Sequence, residues 1–176
     1  MPETVNLARR GFLRGKLQTP TAQLRLPWVT QEQDFIEQCT RCNDCLTACP
    51  ENILVKGDGG FPTVDFTKGE CTFCQACVDV CTQPFFVDDK SVKAWPIHLT
   101  FLDNCLAKNS VLCQSCQDVC DTEAISFSYS AGSIPQPQIS QSDCTGCGAC
   151  VMPCPSQAIA LNLIESTTVA TEEKQG

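Results

Sequence analysis

Sixteen cysteines fall into four groups of four, with none left over. Cys39, Cys42, Cys45 and Cys49 are spaced C-x2-C-x2-C-x3-C and followed by Pro50. Cys71, Cys74, Cys77 and Cys81 repeat the spacing, with Thr82 next and Pro84 further on. Cys144, Cys147, Cys150 and Cys154 repeat it again before Pro155. The third group is irregular: Cys105, then Cys113, Cys116 and Cys120, followed by Asp121. Thiols at this density form disulfides, hold zinc or hold iron–sulfur clusters. A disulfide framework belongs to exported chains, and three tight runs do not resemble dispersed loop staples. Zinc sites take two separated knuckles, or cysteine with histidine, round a tetrahedral ion, and His98 is the sole histidine. The spacing C-x2-C-x2-C-x3-C-P is the bacterial [4Fe–4S] run.

Physical reasons support that assignment. Two intervening residues let successive thiolates curl round three corners of one cubane. Small or polar residues between them, such as Thr40-Arg41, Thr145-Gly146 and Gly148-Ala149, keep the backbone close enough for its N–H groups to tune the sulfurs. The fourth cysteine lies about one helical turn beyond, opening a short helix that leads away, and so ligates the other cluster of a pair. The expected sets are Cys39, Cys42, Cys45 with Cys81, and Cys71, Cys74, Cys77 with Cys49. Likewise Cys144, Cys147, Cys150 take Cys120, and Cys105, Cys113, Cys116 take Cys154. The three regular groups account for three [4Fe–4S] clusters and the irregular one for a fourth. In that group the regular first position is Ser110, five residues beyond Cys105. The readings stay open: a longer loop brings Cys105 round at little entropic cost, or the group holds a three-iron or labile cluster, or Cys105 is unligated.

The elements that must position these thiols repeat as well. Gly59 and Gly132 each lie twelve residues before a cysteine run, and Pro62 and Pro135 nine before. Asp58-Gly59 predicts a turn between strands Asn52–Val55 and Phe61–Phe66, and Ala131-Gly132 one between Ile125–Tyr129 and Ser133–Ile139. Thr30 followed by Gln33 reads as a capping box for a helix over 31–38. The fold class is α+β and small: two tandem two-cluster units built round iron–sulfur clusters, with little regular secondary structure. Residues 1–29 form a basic, mostly extended leader, 30–92 the first unit, 93–165 the second and 166–176 a disordered tail. Units this small need metals to hold them. Phe35, Ile36, Leu54, Phe61, Val64, Phe85, Phe86, Leu102, Ile125, Phe127, Ile159 and Leu161 are expected to wrap the clusters, and the metal-free chain to be largely unfolded.

Charge and hydropathy exclude other classes. The 176 residues carry a formal net charge of −8, which argues against a nucleic-acid binder. No apolar run approaches the ~18 residues of a membrane span. Residues 1–27 hold five Lys or Arg against one carboxylate, while the remainder holds seven against nineteen. Arg9, Arg10 and Arg14 are therefore candidate docking residues, for a partner or the inner membrane surface. Their twin-arginine pattern lacks the following apolar segment of an export signal, since Lys16, Pro20, Arg25 and Pro27 interrupt it, so a cytoplasmic chain is expected. Trp28 and Trp95 read as packing lids. No nucleophile–base set or nucleotide fingerprint is present, so no catalytic residue is assigned and no enzyme is expected.

The combination of RRGFLRG, LPW, CTRCNDCLTACPENILVKGDGGFP, CTFCQACVDVC, an Ala94-Trp95 segment, CQSCQDVC and IPQPQISQSDCTGCGACVMPCPSQAI closely resembles the NapF family, the ferredoxin-type accessory proteins of periplasmic nitrate reductase. The resemblance implies a cytoplasmic iron–sulfur protein. Its partner would be the precursor of the catalytic subunit NapA, whose maturation it would assist before export, by binding it and supplying electrons or clusters. The alternative is a ferredoxin-type electron carrier, or an electron-transfer subunit of a reductase complex.

Overall fold

Among the described residues, three two-stranded antiparallel sheets organise the fold. The computed structural model describes residues 23–129 and 132–164. Its elements are short: α1 (Glu32–Gln38), α2 (Asp44–Ala48), β1 (Leu54–Lys56), β2 (Pro62–Val64), α3 (Ala76–Asp79), β3 (Ile97–Phe101), α4 (Ser115–Asp118), β4 (Ile125–Ser128), β5 (Gln136–Ile139) and β6 (Ile159–Leu163). The fold is α+β with little regular secondary structure. The leader with Arg9, Arg10 and Arg14, the tail 166–176, and Ala131 of the second turn lie outside the described residues.

Each half pairs an inner hairpin with an outer contact. Hairpin β1–β2 runs from Leu54 opposite Val64 to Lys56 opposite Pro62, joined through a 3-10 turn at Asp58–Gly60. Hairpin β4–β5 sets Ile125 opposite Ile139 and Ser128 opposite Gln136. Outside it, β3 pairs with β6, Ile97 opposite Leu163 and Phe101 opposite Ile159. The first half has a reduced version, a single bridge between Val29 and Phe86. There the Thr30 N–H donates to the Phe85 carbonyl at 2.9 Å, and the Val87 N–H to the Trp28 carbonyl at 2.8 Å.

That outer contact overturns the expected capping box. Helix α1 begins after Gln31 without a side-chain cap. The Thr30 hydroxyl instead donates to the Phe85 carbonyl at 3.0 Å, and the Gln33 amide turns to Glu37. A hydroxyl that can satisfy a carbonyl in the strand contact is withdrawn from the helix end.

The core consists of three small clusters that include cysteines. Leu26, Phe35, Leu54 and Phe85 surround Cys45 and Cys77, with the Phe35 ring edge-on to Phe85 at 5.1 Å. Leu99 and Ile125 pack with Cys150. Trp28, Ile53, Phe66, Ala94 and Trp95 form the third cluster, against which Val151 and Leu161 of the second half pack. Phe35, Leu54, Phe85 and Ile125 are buried as expected. Ile36 and Leu102 are exposed, and Leu26, Ile53, Phe66 and Leu99 are buried instead. Both tryptophans are buried, and their indole N–H groups donate to the carbonyls of Val92, at 3.1 Å, and Arg25, at 2.9 Å.

The halves meet at one seam. The Cys71 N–H donates to the Cys147 carbonyl at 2.8 Å, while Phe66 lies on Gly148 and Ile97 and Trp95 lie on Gly146. Both glycines have left-handed φ, +78° at Gly146 and +82° at Gly148. A Cβ on Gly148 would stand 2.1 Å from the nearest Phe66 ring atom. Gly148→Val is therefore expected to remove roughly 3 kcal/mol or more, from overpacking together with left-handed strain. The anaerobic urea midpoint of the loaded chain measures this, and adding Phe66→Ala should restore only the overpacking part.

Candidate metal centres

Among the described residues, four clefts are each lined by four cysteines. Cys39, Cys42, Cys45 and Cys81 line the first; Cys49, Cys71, Cys74 and Cys77 line the second. Cys105, Cys113, Cys116 and Cys154 line the third, and Cys120, Cys144, Cys147 and Cys150 the fourth. Each cleft draws three thiols from one group and one from its partner group, the arrangement the spacing rule predicts. None of the sixteen forms a disulfide. Among the described residues, no three cysteine, histidine or carboxylate side chains are grouped to hold a single metal ion. Quartets of thiols spread round a cleft fit a bulkier polynuclear cluster instead.

Short helices carry the transfer between paired clefts. Cys45 lies in α2 and Cys49 caps its end; Cys77 lies in α3, three residues before its C-cap Val80, and Cys81 follows. Cys116 lies in α4, with Cys120 just past its C-cap Val119. The helix thus runs between the third and fourth cysteines, not onward from the fourth as expected. One helical turn is the span needed to take the chain from one cleft to its neighbour.

Backbone geometry repeats as closely as the cysteines do. The residues flanking the second cysteine of each regular run have left-handed φ: Arg41 and Asn43, Phe73 and Gln75, Gly146 and Gly148. Only two of these six are glycine, so the remaining four hold a conformation that side chains disfavour by about 1–3 kcal/mol each. Left-handed residues at such turns direct successive N–H groups to one side, forming a concavity for an anionic group. The Phe73 N–H already reaches the Cys71 sulfur at 3.4 Å, and the Ala158 N–H the Cys154 sulfur at 3.2 Å. The sequence reading attributes this closeness to small or polar side chains. The backbone conformation is the cause, and its sequence signals are Gly146, Gly148 and Asn43, residue types that favour the left-handed region.

The third group departs from this pattern. Gln114, after Cys113, has φ −134°, and the left-handed residue is Ser110, where the regular run would have its first cysteine. Cys105 reaches the third cleft on a braced loop. The Asn109 amide donates to the carbonyls of Asp103, at 2.6 Å, and Cys105, at 2.8 Å. Gln136 donates to the carbonyl of buried Ala107 at 2.9 Å.

Crowding shows in the acidities. Burial, and then repulsion from Cys39, Cys81 and Cys42, pushes the Cys45 thiol up to about 12. Burial first, then Cys71, Cys49, Cys45 and Cys74, does the same for Cys77, to about 12. Cys150 reaches about 12 through burial and then Cys147, Cys116 and Cys144. Burial raises Cys116 to about 11, with Cys105, Cys154 and Cys113 adding to it against one backbone hydrogen bond. Cys71 also reaches about 11, mainly through burial, with Cys49, Cys74 and Cys147 contributing. Three of these influences cross between clefts: Cys45 on Cys77, Cys147 on Cys71, and Cys116 on Cys150. The Cys71 N–H to Cys147 carbonyl bond sets the second cleft against the fourth, while α2 and α3 link the first to the second and α4 the third to the fourth, so the clefts adjoin in the order first, second, fourth, third.

Comparisons with known proteins agree with this chemistry. The 4Fe-4S dicluster domain family matches residues 38–84 and 111–158. The chain is similar to ferredoxin-type protein NapF of Escherichia coli, with 40% identity over 162 residues, covering 92% of this chain and 98% of that protein. NapF of Haemophilus influenzae is 44% identical over 167 residues, 89% of this chain and 94% of that one. The methylamine utilization ferredoxin-type protein MauM of Methylophilus methylotrophus is 30% identical over 158 residues, 80% and 70% of the two chains.

Two outcomes follow from the cleft geometry. Cys105→Ser and Cys39→Ser should each remove one cluster's worth of iron and sulfide from the reconstituted chain. Unchanged iron in Cys105→Ser alone would mark Cys105 as a spectator. The second concerns pH. Thiol pKa values raised in the fold mean that folding is favoured while the thiols are protonated. That contribution is complete below the unfolded thiol value, about 8.5, and is lost as pH rises toward 12. The chelated, reduced chain should thus lose residual circular dichroism between about pH 8 and about pH 11, while the loaded chain, whose thiolates bind no protons, should not.

Proposed function

Because the chain belongs to the NapF family of ferredoxin-type proteins, we propose that it is a cytoplasmic iron–sulfur protein that assists maturation of the nitrate reductase catalytic subunit NapA before export, binding the precursor and supplying it with electrons or clusters. The observation that carries this reading is the set of four clefts, each lined by four cysteines, in a chain that matches NapF relatives over nearly their whole length. Cys39, Cys42, Cys45 and Cys81 hold one [4Fe–4S] cluster; Cys71, Cys74, Cys77 and Cys49 a second. Cys144, Cys147, Cys150 and Cys120 hold a third, and Cys105, Cys113, Cys116 and Cys154 a fourth. Such clusters supply one-electron chemistry at potentials tuned by hydrogen bonds, charge and exposure. The chain's own part is to hold the thiols in place and aimed, and to shield them with Phe35, Phe85, Trp28 and Trp95, while the metal core favours their deprotonated form. A cluster with four thiolate ligands leaves no vacant metal position for substrate, which supports a carrier or binding role over an enzyme.

Residues 30–92 and 93–165 act as the two cluster-bearing units, and Arg9, Arg10 and Arg14 serve as a docking arm. No helix among the described residues is long and apolar enough to cross a membrane. The test is anaerobic co-purification from cytoplasm with precursor NapA and with the mature, exported enzyme. Recovery with the precursor alone is expected, and removal of residues 1–27 should weaken it. Equal recovery with both forms, or with neither, would favour a general electron carrier.

A further inference from the structure

Charged side chains near the four clefts are few, and one stands apart. The Lys93 ammonium donates to three backbone carbonyls, of Gln141 at 3.1 Å, Ser142 at 2.9 Å and Cys144 at 3.0 Å. These carbonyls belong to the segment that enters the Cys144–Cys147–Cys150 loop. Among the described residues the ion pairs are Arg25–Glu32 and Lys108–Asp103, so no carboxylate within 4 Å neutralises Lys93. Asp143, within the segment that bears these carbonyls, accepts instead from the hydroxyls of Ser140 at 2.6 Å and Ser142 at 3.3 Å.

Both ends of this contact are held. Ala94, next to Lys93, is buried and its carbonyl accepts from the Trp28 N–H at 2.8 Å. Trp95 donates to the Arg25 carbonyl. On the far side, Trp95 and Ile97 press on Gly146, and Phe66 on Gly148. Among the described residues, the equivalent stretch ahead of Cys71 receives no side-chain cation on the carbonyls of Lys68, Gly69 or Cys71. Two loops alike in spacing and backbone conformation thus differ by one fixed positive charge.

We propose that Lys93 sets the reduction potential of the cluster held by Cys144, Cys147, Cys150 and Cys120. This rests on the reading that those four cysteines ligate a cluster. Reduction adds one negative charge to the site, and a cation anchored at its entry stabilises that form more than the oxidised one. Lys93 is a positioning and tuning residue, and its effect weakens as salt screens an exposed ammonium.

The experiment is an anaerobic redox titration of the full, reconstituted chain, followed by electron paramagnetic resonance and iron analysis. Cys147→Ser identifies the relevant component by its disappearance. Lys93→Gln should move that component to lower potential with iron unchanged, Lys93→Arg should leave it near the wild-type value, and high salt should narrow the difference. An unmoved potential in Lys93→Gln overturns the proposal. So does an equal shift in Lys93→Arg, or loss of that component's iron in Lys93→Gln, since each makes Lys93 a strut and not a source of charge. A Cys147→Ser titration identical to wild type would overturn the ligand assignment itself, and the Lys93 proposal with it.

Discussion

Everything in this fold answers to one constraint, the crowding of thiol sulfurs in groups of four, with Cys45, Cys77 and Cys150 buried among them. Burial and mutual repulsion make thiolates unfavourable at each cleft, as the raised values of Cys45, Cys77 and Cys150 show. A cationic metal core reverses that balance, because thiolate is the ligating form. The apolar residues cannot do so by themselves. Phe35, Leu26, Ile125 and Leu99 sit in small clusters that include Cys45, Cys77 and Cys150 among their buried members, so without metal the interior contains crowded sulfurs.

The backbone is adapted to the same constraint. Arg41, Asn43, Phe73 and Gln75 hold left-handed φ at a conformational cost that only a well-defined surrounding sustains. In return, N–H groups turn toward the sulfurs, supplying positive partial charge where negative charge collects. The short helices α2, α3 and α4 complete the scheme by delivering the next cysteine to the neighbouring cleft.

Legibility in the sequence followed the range of the interactions. The grouping of the thiols was readable because one helical turn and two-residue gaps are local geometry. Both hairpins were readable for the same reason, within three residues at their ends. The seam was not. Phe66 over Gly148 and Trp95 over Gly146 join residues about fifty to eighty apart, with no periodic signal. The Thr30 hydroxyl was misread because its partner, the Phe85 carbonyl, arrives from a distant segment and competes with the local cap. The Cys105 loop was open for a further reason. Its path depends on the Asn109 and Gln136 amides, and polar surface residues carry no pattern that announces such a brace.

The seam also has a temporal side. A chain synthesised from its N-terminus presents Phe66, Cys71 and Trp95 well before Gly146 and Gly148 emerge, and domains generally fold in that order. Where the first half already holds its clusters, the Cys144–Cys150 loop closes against a surface already built, with the Cys71 N–H ready for the Cys147 carbonyl. The first half serves as a template for the last loop made, which gives the two otherwise similar halves distinct places in the order of assembly.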